Sequence, residues 1–401
     1  MKFSNLFLGI ILSGFVLTSC SDDNDDKSTG QQLVVPSTYT FEREGNTTVD
    51  YNGQTSRLLM LQEIGNYIKN AGANSTTASS VVLKDMYANT NNQFSDTDLN
   101  SSGKQLKDKT AASKDYFVNL GGGGSTSESI SVKAFFETQC DNAETASTGS
   151  DASEGIAGKY LDGTSVRLFA ANGLEPQQVI LKGLMGACFM DQIVNNYLST
   201  AVLDEGTNRD DNTNKILVSG KNYTNMEHKW DEAYGYIYGA GGGKYWDSYI
   251  NQVDADSDFG SLKEDIDLAF RKGRAAIVAN NYTVRDQQIE IIKKKIALVP
   301  AVRAVYYLKD GKAKLITDNG KKAFHALSEA YGFIMSLRYT QNPSTGMPYM
   351  SKTEVDDVLA TLMAGTNGLY DVDYLEVNLD AIAETIANKF GFTVAQAETV
   401  N

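Results

Sequence analysis

The chain contains two histidines, and a glutamate follows each of them four residues later. His228 precedes Glu232, and His325 precedes Glu329. Residues four apart lie on the same face of an α-helix, so each couple presents an imidazole and a carboxylate side by side. Helical bundles use these two groups to bind metal ions. The spacing therefore marks all four residues as candidate ligands of a divalent metal ion.

The segments around the two histidines match each other. Residues 228–236 (HKWDEAYGY) align with residues 325–333 (HALSEAYGF), and five of the nine positions are identical. The matched residues include Tyr234 and Tyr331, which we take as supporting residues of the candidate site. A glycine at the seventh position after each histidine lies on the same helix face, where it would admit a neighbouring helix at close range.

A looser match extends this repeat. Residues 177–198 align with 287–308, and the loop that follows is longer in the first copy than in the second. Loops vary in length more freely than the helices they join, so the pattern indicates a duplicated helical hairpin. The two repeat halves cover about 155–256 and about 257–365. We expect the two helix pairs to be related by an approximate two-fold axis and to pack as one bundle.

The His–Glu couples have two interpretations. In the first, both couples meet in the interior of the bundle, where they hold a metal ion or take part in catalysis. In the second, they are structural, because buried polar groups need partners and a histidine and a glutamate satisfy each other. The distance between His228 and His325 separates the two interpretations. No catalytic residue is assigned from the sequence, and the cofactor is unknown, with a divalent metal as the candidate.

The remaining patterns indicate a mainly α fold with a small N-terminal β-hairpin. Alternating β-prone residues at 39–43 and 47–51 flank Glu44-Gly45-Asn46, a turn sequence. Apolar residues at helical spacing begin near Leu58. The same spacing predicts further helices over 77–89, 104–117, 129–141, 176–200, 224–238, 258–280, 284–309, 318–341, 352–364 and 378–390. Polar, glycine-rich loops are expected over 118–128, 142–165 and 239–244.

The N-terminus has the pattern of a secretory signal. Lys2 precedes an apolar run that ends in Leu17-Thr18-Ser19-Cys20, and this ending resembles a bacterial lipobox. We expect residues 1–19 to be a signal peptide and Cys20 to carry the lipid that anchors the protein. An ordinary secretory signal is the alternative. The acidic residues 21–26 resemble the surface-export signal of Bacteroidetes-type lipoproteins, and 20–37 form a flexible tether to a single helical domain at 38–401.

Charge and cysteine content limit the partners and the redox chemistry. The chain has 36 Lys and Arg against 50 Asp and Glu, a net charge of −14, so it lacks the excess of cations that nucleic-acid binding requires. No nucleic-acid partner is expected. Outside the signal region the cysteines are Cys140 and Cys188. An oxidising compartment permits a disulfide between them, and two buried free thiols are the alternative.

Several segments carry a resemblance to known families. Residues 173–178 (GLEPQQ), 182–187 (KGLMGA) and 230–236 (WDEAYGY) resemble a family of Bacteroidetes lipoproteins whose domain has no known function. More distantly, a lipid-anchored duplicated bundle is similar to imelysin-like proteins. Those are envelope proteins linked to iron acquisition, with a proposed metallopeptidase assignment and a Gly-x-His-x-x-Glu motif. This chain has His-x-x-x-Glu twice, without the preceding glycine.

These resemblances and the candidate residues favour a binding protein over an enzyme, and enzymatic activity stays open. We expect an outer-membrane lipoprotein, exposed on the cell surface, that binds metal, iron or haem beside an outer-membrane receptor. A periplasm-facing orientation is the alternative location. An imelysin-like metallopeptidase or hydrolase, or a glycan-binding surface lipoprotein, is the alternative function.

Overall fold

The N-terminal hairpin forms where the sequence predicts it. In the computed structural model, which describes residues 33–118 and 125–399, β1 (Glu42–Arg43) pairs antiparallel with β2 (Asn46–Thr47). Glu44 and Gly45 both have positive φ, the geometry of a two-residue turn that matches the twist of a hairpin. Arg43 donates to the carbonyl of Asn222, so the hairpin is attached to the helical body.

The described part of the chain is mainly α-helical, as expected. Most predicted helices are present, with ends shifted by a few residues. In chain order the α-helices are α1 (Asn52–Asn74), α2 (Ser80–Ala88), α3 (Thr97–Ser101), α4 (Thr126–Thr148), α5 (Pro176–Leu184), α6 (Thr200–Leu203), α7 (Asn208–Thr213), α8 (Asn225–Tyr238), α9 (Tyr245–Asp254), α10 (Leu262–Val278), α11 (Tyr282–Lys314), α12 (Phe324–Ser336), α13 (Lys352–Leu362), α14 (Val372–Phe390) and α15 (Val394–Ala397).

Helix α11 forms the centre of the body. Every residue from Val299 to Val305 is buried, so the helix is surrounded on all sides at this point. It packs against α10, α12 and α14, and α12 packs in turn against α5. Helix α11 contacts α12, whereas α8 contacts the segment Ile193–Tyr197, which follows α5 in the chain. The duplicated bundle of two helix pairs stays a prediction.

Local sequence explains where several helices start. Pro176 occupies the first turn of α5, where its missing N–H costs no hydrogen bond. Ser351 and Glu354 form the predicted capping box at the start of α13, in which each side chain binds the backbone N–H of the other residue.

The helix predicted over 176–200 is not a regular α-helix. After α5 it continues through two π-helical segments, Met185–Met190 and Ile193–Tyr197, and both are completely buried. Asp191 lies between them and accepts hydrogen bonds from the backbone N–H groups of Ala112 and Ser113. The expected helix over 104–117 is wrong, because this segment forms turns followed by one π-helical turn, Lys114–Val118. The N–H groups of Ala112 and Ser113 bind the side chain of Asp191, and the N–H group of Lys114 binds Asn196.

A second hairpin replaces part of an expected loop. The sequence predicted a loop over 142–165, but α4 continues to Thr148. The chain then forms β3 (Gly158–Asp162) and β4 (Ser165–Phe169), which pair antiparallel around Gly163. Leu168 and Phe169 are buried, so the hairpin contributes to the core of the body.

The expected signal peptide at 1–19 and the lipidated Cys20 lie outside the described residues, as does most of the tether at 20–37. Residues 119–124 of the expected loop at 118–128 also lie outside them. Gln32–Asn401 group into one compact unit. Within the described ranges, none of the helices combines the length and the apolar character needed to cross a bilayer.

Candidate functional site

His325 lies near the start of α12 and is held between two carboxylates. Its Nδ1 is 2.6 Å from Glu175 Oε2, and its Nε2 is 3.7 Å from Glu329 Oε2. Glu175 occupies the N-cap position of α5, and its side chain is 2% exposed, whereas the His325 side chain is 27% exposed. Because a hydrogen bond at one ring nitrogen fixes the orientation of an imidazole, Glu175 positions this histidine.

Glu329 belongs to the same cluster of charges. Its Oε1 lies 3.1 Å from Lys182 Nζ, and Tyr307 also interacts with its carboxylate. Burial opposes ionisation here, but Lys182 and His325 together lower the pKa of Glu329. The carboxylate is therefore ionised and already neutralised by partners within the protein.

His228 has different partners on α8. Its ring stacks on Tyr223 with 4.5 Å between ring centroids, and its Nε2 lies 3.9 Å from Glu232 Oε2, too far for a hydrogen bond. Burial lowers the pKa of His228, so its imidazole is neutral at neutral pH. Glu232 accepts a hydrogen bond of 3.0 Å from Gln54 on α1.

The immediate surroundings of the two glutamates correspond in both copies of the matched sequence. Tyr197 interacts with Glu232, and Tyr307, which occupies the matching position, interacts with Glu329. Each tyrosine also stacks on the aromatic residue at the end of the nine-residue match. Tyr197 and Tyr236 have ring centroids 6.1 Å apart, and the centroids of Tyr307 and Phe333 are 5.8 Å apart.

The glycine after each couple lies where two helices approach closely. A Cβ at Gly235 would meet Tyr51 and Gln54 at the start of α1, and one at Gly332 would meet Lys182 on α5. Both contacts bring a second helix onto the face that carries the couple. The close approach of a neighbouring helix, predicted from the two glycines, is therefore present. The helix that approaches is α1 for the first couple and α5 for the second.

The two couples do not form a joint metal site in the structure. Across residues 33–118 and 125–399, no group of three or more His, Cys, Asp or Glu side chains is arranged to hold a metal ion. The physical reason is that each couple has partners of its own. Glu175 and Lys182 engage the His325 couple, whereas Gln54 and Tyr223 engage the His228 couple.

The two supporting tyrosines occupy different environments. Tyr234 stacks on Tyr39 from the N-terminal segment, with 3.6 Å between ring centroids and 7° between ring planes. Tyr331 instead lines a cleft between α4, α12 and α13. Tyr331 is thus the one supporting residue that the structure places at a surface able to receive a ligand.

Cys140 and Cys188 are both free and buried in the structure. The sequence left open a disulfide or two buried free thiols, and the structure has the free thiols. Burial raises the pKa of each thiol to about 12, so neither is a reactive thiolate.

A cleft of about 480 Å³ lies between α4, α12 and α13. We call it the α4–α12–α13 cleft. Its apolar and aromatic walls include Val132 and Phe135 from α4, Tyr331 and Met335 from α12, and Leu359 from α13. This volume and lining are typical of sites that bury a small organic molecule.

Charged residues line the same cleft. Arg338, in the turn after α12, forms an ion pair with Glu128 on α4, and both side chains are less than 10% exposed. Lys352 and Asp356 on α13 form a second ion pair, with about half of each side chain exposed. The cleft therefore combines apolar walls with two cations and two carboxylates.

Sequence reasoning missed this cleft, although a signal for it exists on α12. Tyr331, Met335 and Arg338 are spaced at i, i+4 and i+7, so they share one face of a helix. The pattern does not say that α4 and α13 lie opposite, because that depends on packing between segments distant in sequence.

Comparison with known proteins places the whole helical body in one family. The model of a family described as a domain of unknown function (DUF4856) matches residues 36–393. The chain belongs to this family. No curated protein and no solved structure matches it. The family description names no activity or ligand, so the function rests on the geometry of the chain itself.

Proposed function

We propose that this member of the DUF4856 family is a non-enzymatic, lipid-anchored binding protein that captures haem in the α4–α12–α13 cleft as part of iron acquisition. The observation that carries the proposal is the cleft itself, which has apolar walls, a phenol and a thioether one helical turn apart, and one buried and one half-exposed cation. Haem is a planar apolar ring with two carboxylates and an iron atom, so it needs these groups.

Tyr331 is the candidate iron ligand. Tyrosine is one of the side chains that hold haem iron in proteins, and methionine is another. Tyr331 and Met335 lie one helical turn apart, and both line the cleft. Burial and the nearby Asp356 raise the pKa of Tyr331, so the phenol is protonated before the ligand binds. Ferric iron would displace this proton, and haem affinity should therefore rise with pH.

The proposed location rests on the N-terminal sequence. The apolar run before Cys20 and the acidic residues 21–26 support a lipid anchor and export to the cell surface, where an outer-membrane receptor would be the partner. The similarity to imelysin-like envelope proteins supports the same setting. Labelling cells with radioactive palmitate should mark the wild-type protein, and Cys20→Ala should abolish the label. Equal labelling of both would contradict the anchor.

Titration of the purified mature chain with hemin tests the binding function. We expect one hemin per chain and a shifted Soret absorption band. Leu359→Trp fills the cleft from α13, and it should weaken hemin binding by about tenfold or more. Val377→Trp is the matched control, because Val377 is 76% exposed on α14 and does not line the cleft.

Two outcomes would contradict the proposal. The first is a wild-type chain that shows no saturable hemin binding. The second is a Leu359→Trp variant that keeps the wild-type circular dichroism spectrum and binds hemin with wild-type affinity.

A further inference from the structure

The two ion pairs of the α4–α12–α13 cleft differ in how firmly they are held. Arg338 and Glu128 are 9% and 8% exposed, so this pair is part of the cleft floor. Lys352 and Asp356 are 45% and 46% exposed, so this pair lies at the rim. Breaking a buried pair leaves an unpaired charge without water, whereas exposed pairs contribute little to stability. The rim pair can therefore rearrange and the floor pair cannot.

Asp356 connects the two pairs. It is ion-paired with Lys352, and its Oδ1 also lies 4.0 Å from Arg338 Nη1. A carboxylate thus already lies between the two cations of the cleft. Asp356 lies on the exposed side of α13, so its side chain can rotate into solvent at a small cost in free energy.

We propose that the cleft recognises its ligand through a carboxylate that displaces Asp356 from between Arg338 and Lys352. The inference rests on the proposed function and names the chemical group by which the same site selects its ligand. The ligand class is an apolar molecule that carries a carboxylate, which for haem is a propionate. Arg338 supplies a guanidinium fixed by Glu128, and such a group binds a carboxylate with defined geometry.

The displaced residue sets the affinity. The ligand carboxylate has to compete with Asp356 for the two cations, so removing the negative charge of Asp356 should strengthen binding. Removing the positive charge of Lys352 should weaken it. The Lys352 substitution should not matter for a ligand of the same shape without a carboxylate, because such a ligand does not need the cations.

The test compares hemin with hemin dimethyl ester, in which both propionates are neutral. We expect the wild-type chain to bind the diester about tenfold more weakly than hemin. Lys352→Gln should weaken hemin binding by about fivefold and leave diester binding unchanged, and Asp356→Asn should tighten hemin binding by a few fold. Lys314→Gln is the matched control, since Lys314 forms an ion pair with Asp310 at the same helical spacing, outside the cleft.

The outcomes distinguish this inference from the proposed function. If hemin and its diester bind equally tightly and Lys352→Gln affects neither, carboxylate recognition is wrong while haem capture stands. If neither compound binds, the proposed function fails and this inference fails with it.

Discussion

His325 Nδ1 lies 2.6 Å from Glu175 Oε2, although 150 residues separate the two in sequence. Glu175 is the N-cap residue of α5, in the first predicted repeat half, and His325 lies on α12, in the second. The hydrogen bond therefore joins the two predicted halves, but through an imidazole and a carboxylate rather than through two imidazoles. The His–Glu couple of α12 is engaged by this contact and by Lys182, which accounts for the lack of a joint metal site among the described residues.

The Glu175–His325 contact should stabilise the fold. A hydrogen bond to a charged partner contributes about 1.5–3 kcal/mol, and its loss leaves a buried group unpaired. We expect Glu175→Gln and His325→Gln each to lower the free energy of unfolding. Urea denaturation of both single variants and the double variant should give a coupling energy above about 1 kcal/mol.

The His228–Glu232 couple provides the control for this double-mutant cycle. His228 Nε2 and Glu232 Oε2 are 3.9 Å apart, beyond hydrogen-bond distance. We expect His228→Gln and Glu232→Gln to show a coupling below about 0.5 kcal/mol. If the coupling energy between Glu175 and His325 is as small as that between His228 and Glu232, Glu175 does not stabilise the fold through His325.

The stability of the protein should depend on pH through Asp191. Burial raises the pKa of this carboxyl to about 6, although Ser113, Asn195 and the N–H group of Ala112 donate hydrogen bonds to it. The unfolded value is about 3.9, so between these two values the folded state binds more proton than the unfolded state. The free energy of unfolding therefore falls as pH rises through this window.

Comparison with Asp191→Asn isolates this contribution. The difference in unfolding free energy, wild type minus variant, should be larger at pH 4.5 than at pH 7 by about 2 kcal/mol. Urea denaturation at both pH values measures it. A difference that is constant across this range would show that Asp191 titrates normally in the folded protein.

The buried thiols should be unreactive until the chain unfolds. Burial raises the pKa of Cys140 and Cys188 to about 12, so few thiolates form at neutral pH. In a Cys20→Ser chain, we expect almost no reaction with Ellman's reagent in the native state. In urea, two thiols per chain should react with or without prior reduction. If reduction is needed before either thiol reacts, the cysteines form a disulfide.

Local features of the fold were predictable from the sequence. Glu44-Gly45 gave the N-terminal hairpin, and Ser351 with Glu354 gave the start of α13, because turn and capping chemistry act between residues a few positions apart. The π-helical segments around Asp191 were not predictable. They depend on contacts with Ala112 and Ser113, which lie almost 80 residues away.

The candidate site was predictable only in part. Repetition in the sequence pointed to α12 and to Tyr331, which lines the cleft. The same repetition suggested convergence of the couples, but Glu175 and Gln54, which bind His325 and Glu232, carry no local signal of their role. The cleft also needs Glu128 from α4 and Lys352 from α13, whose proximity to α12 follows from tertiary packing alone.

The most direct test of the account is a comparison of hemin dissociation constants for Tyr331→Phe and for a chain carrying both His228→Gln and His325→Gln. If the α4–α12–α13 cleft is the binding site, Tyr331→Phe should weaken hemin binding by about tenfold or more and shift the Soret band, while the histidine variant binds as the wild type does. Loss of binding in the histidine variant, with wild-type affinity in Tyr331→Phe, would contradict the account and return the ligand to the His–Glu couples.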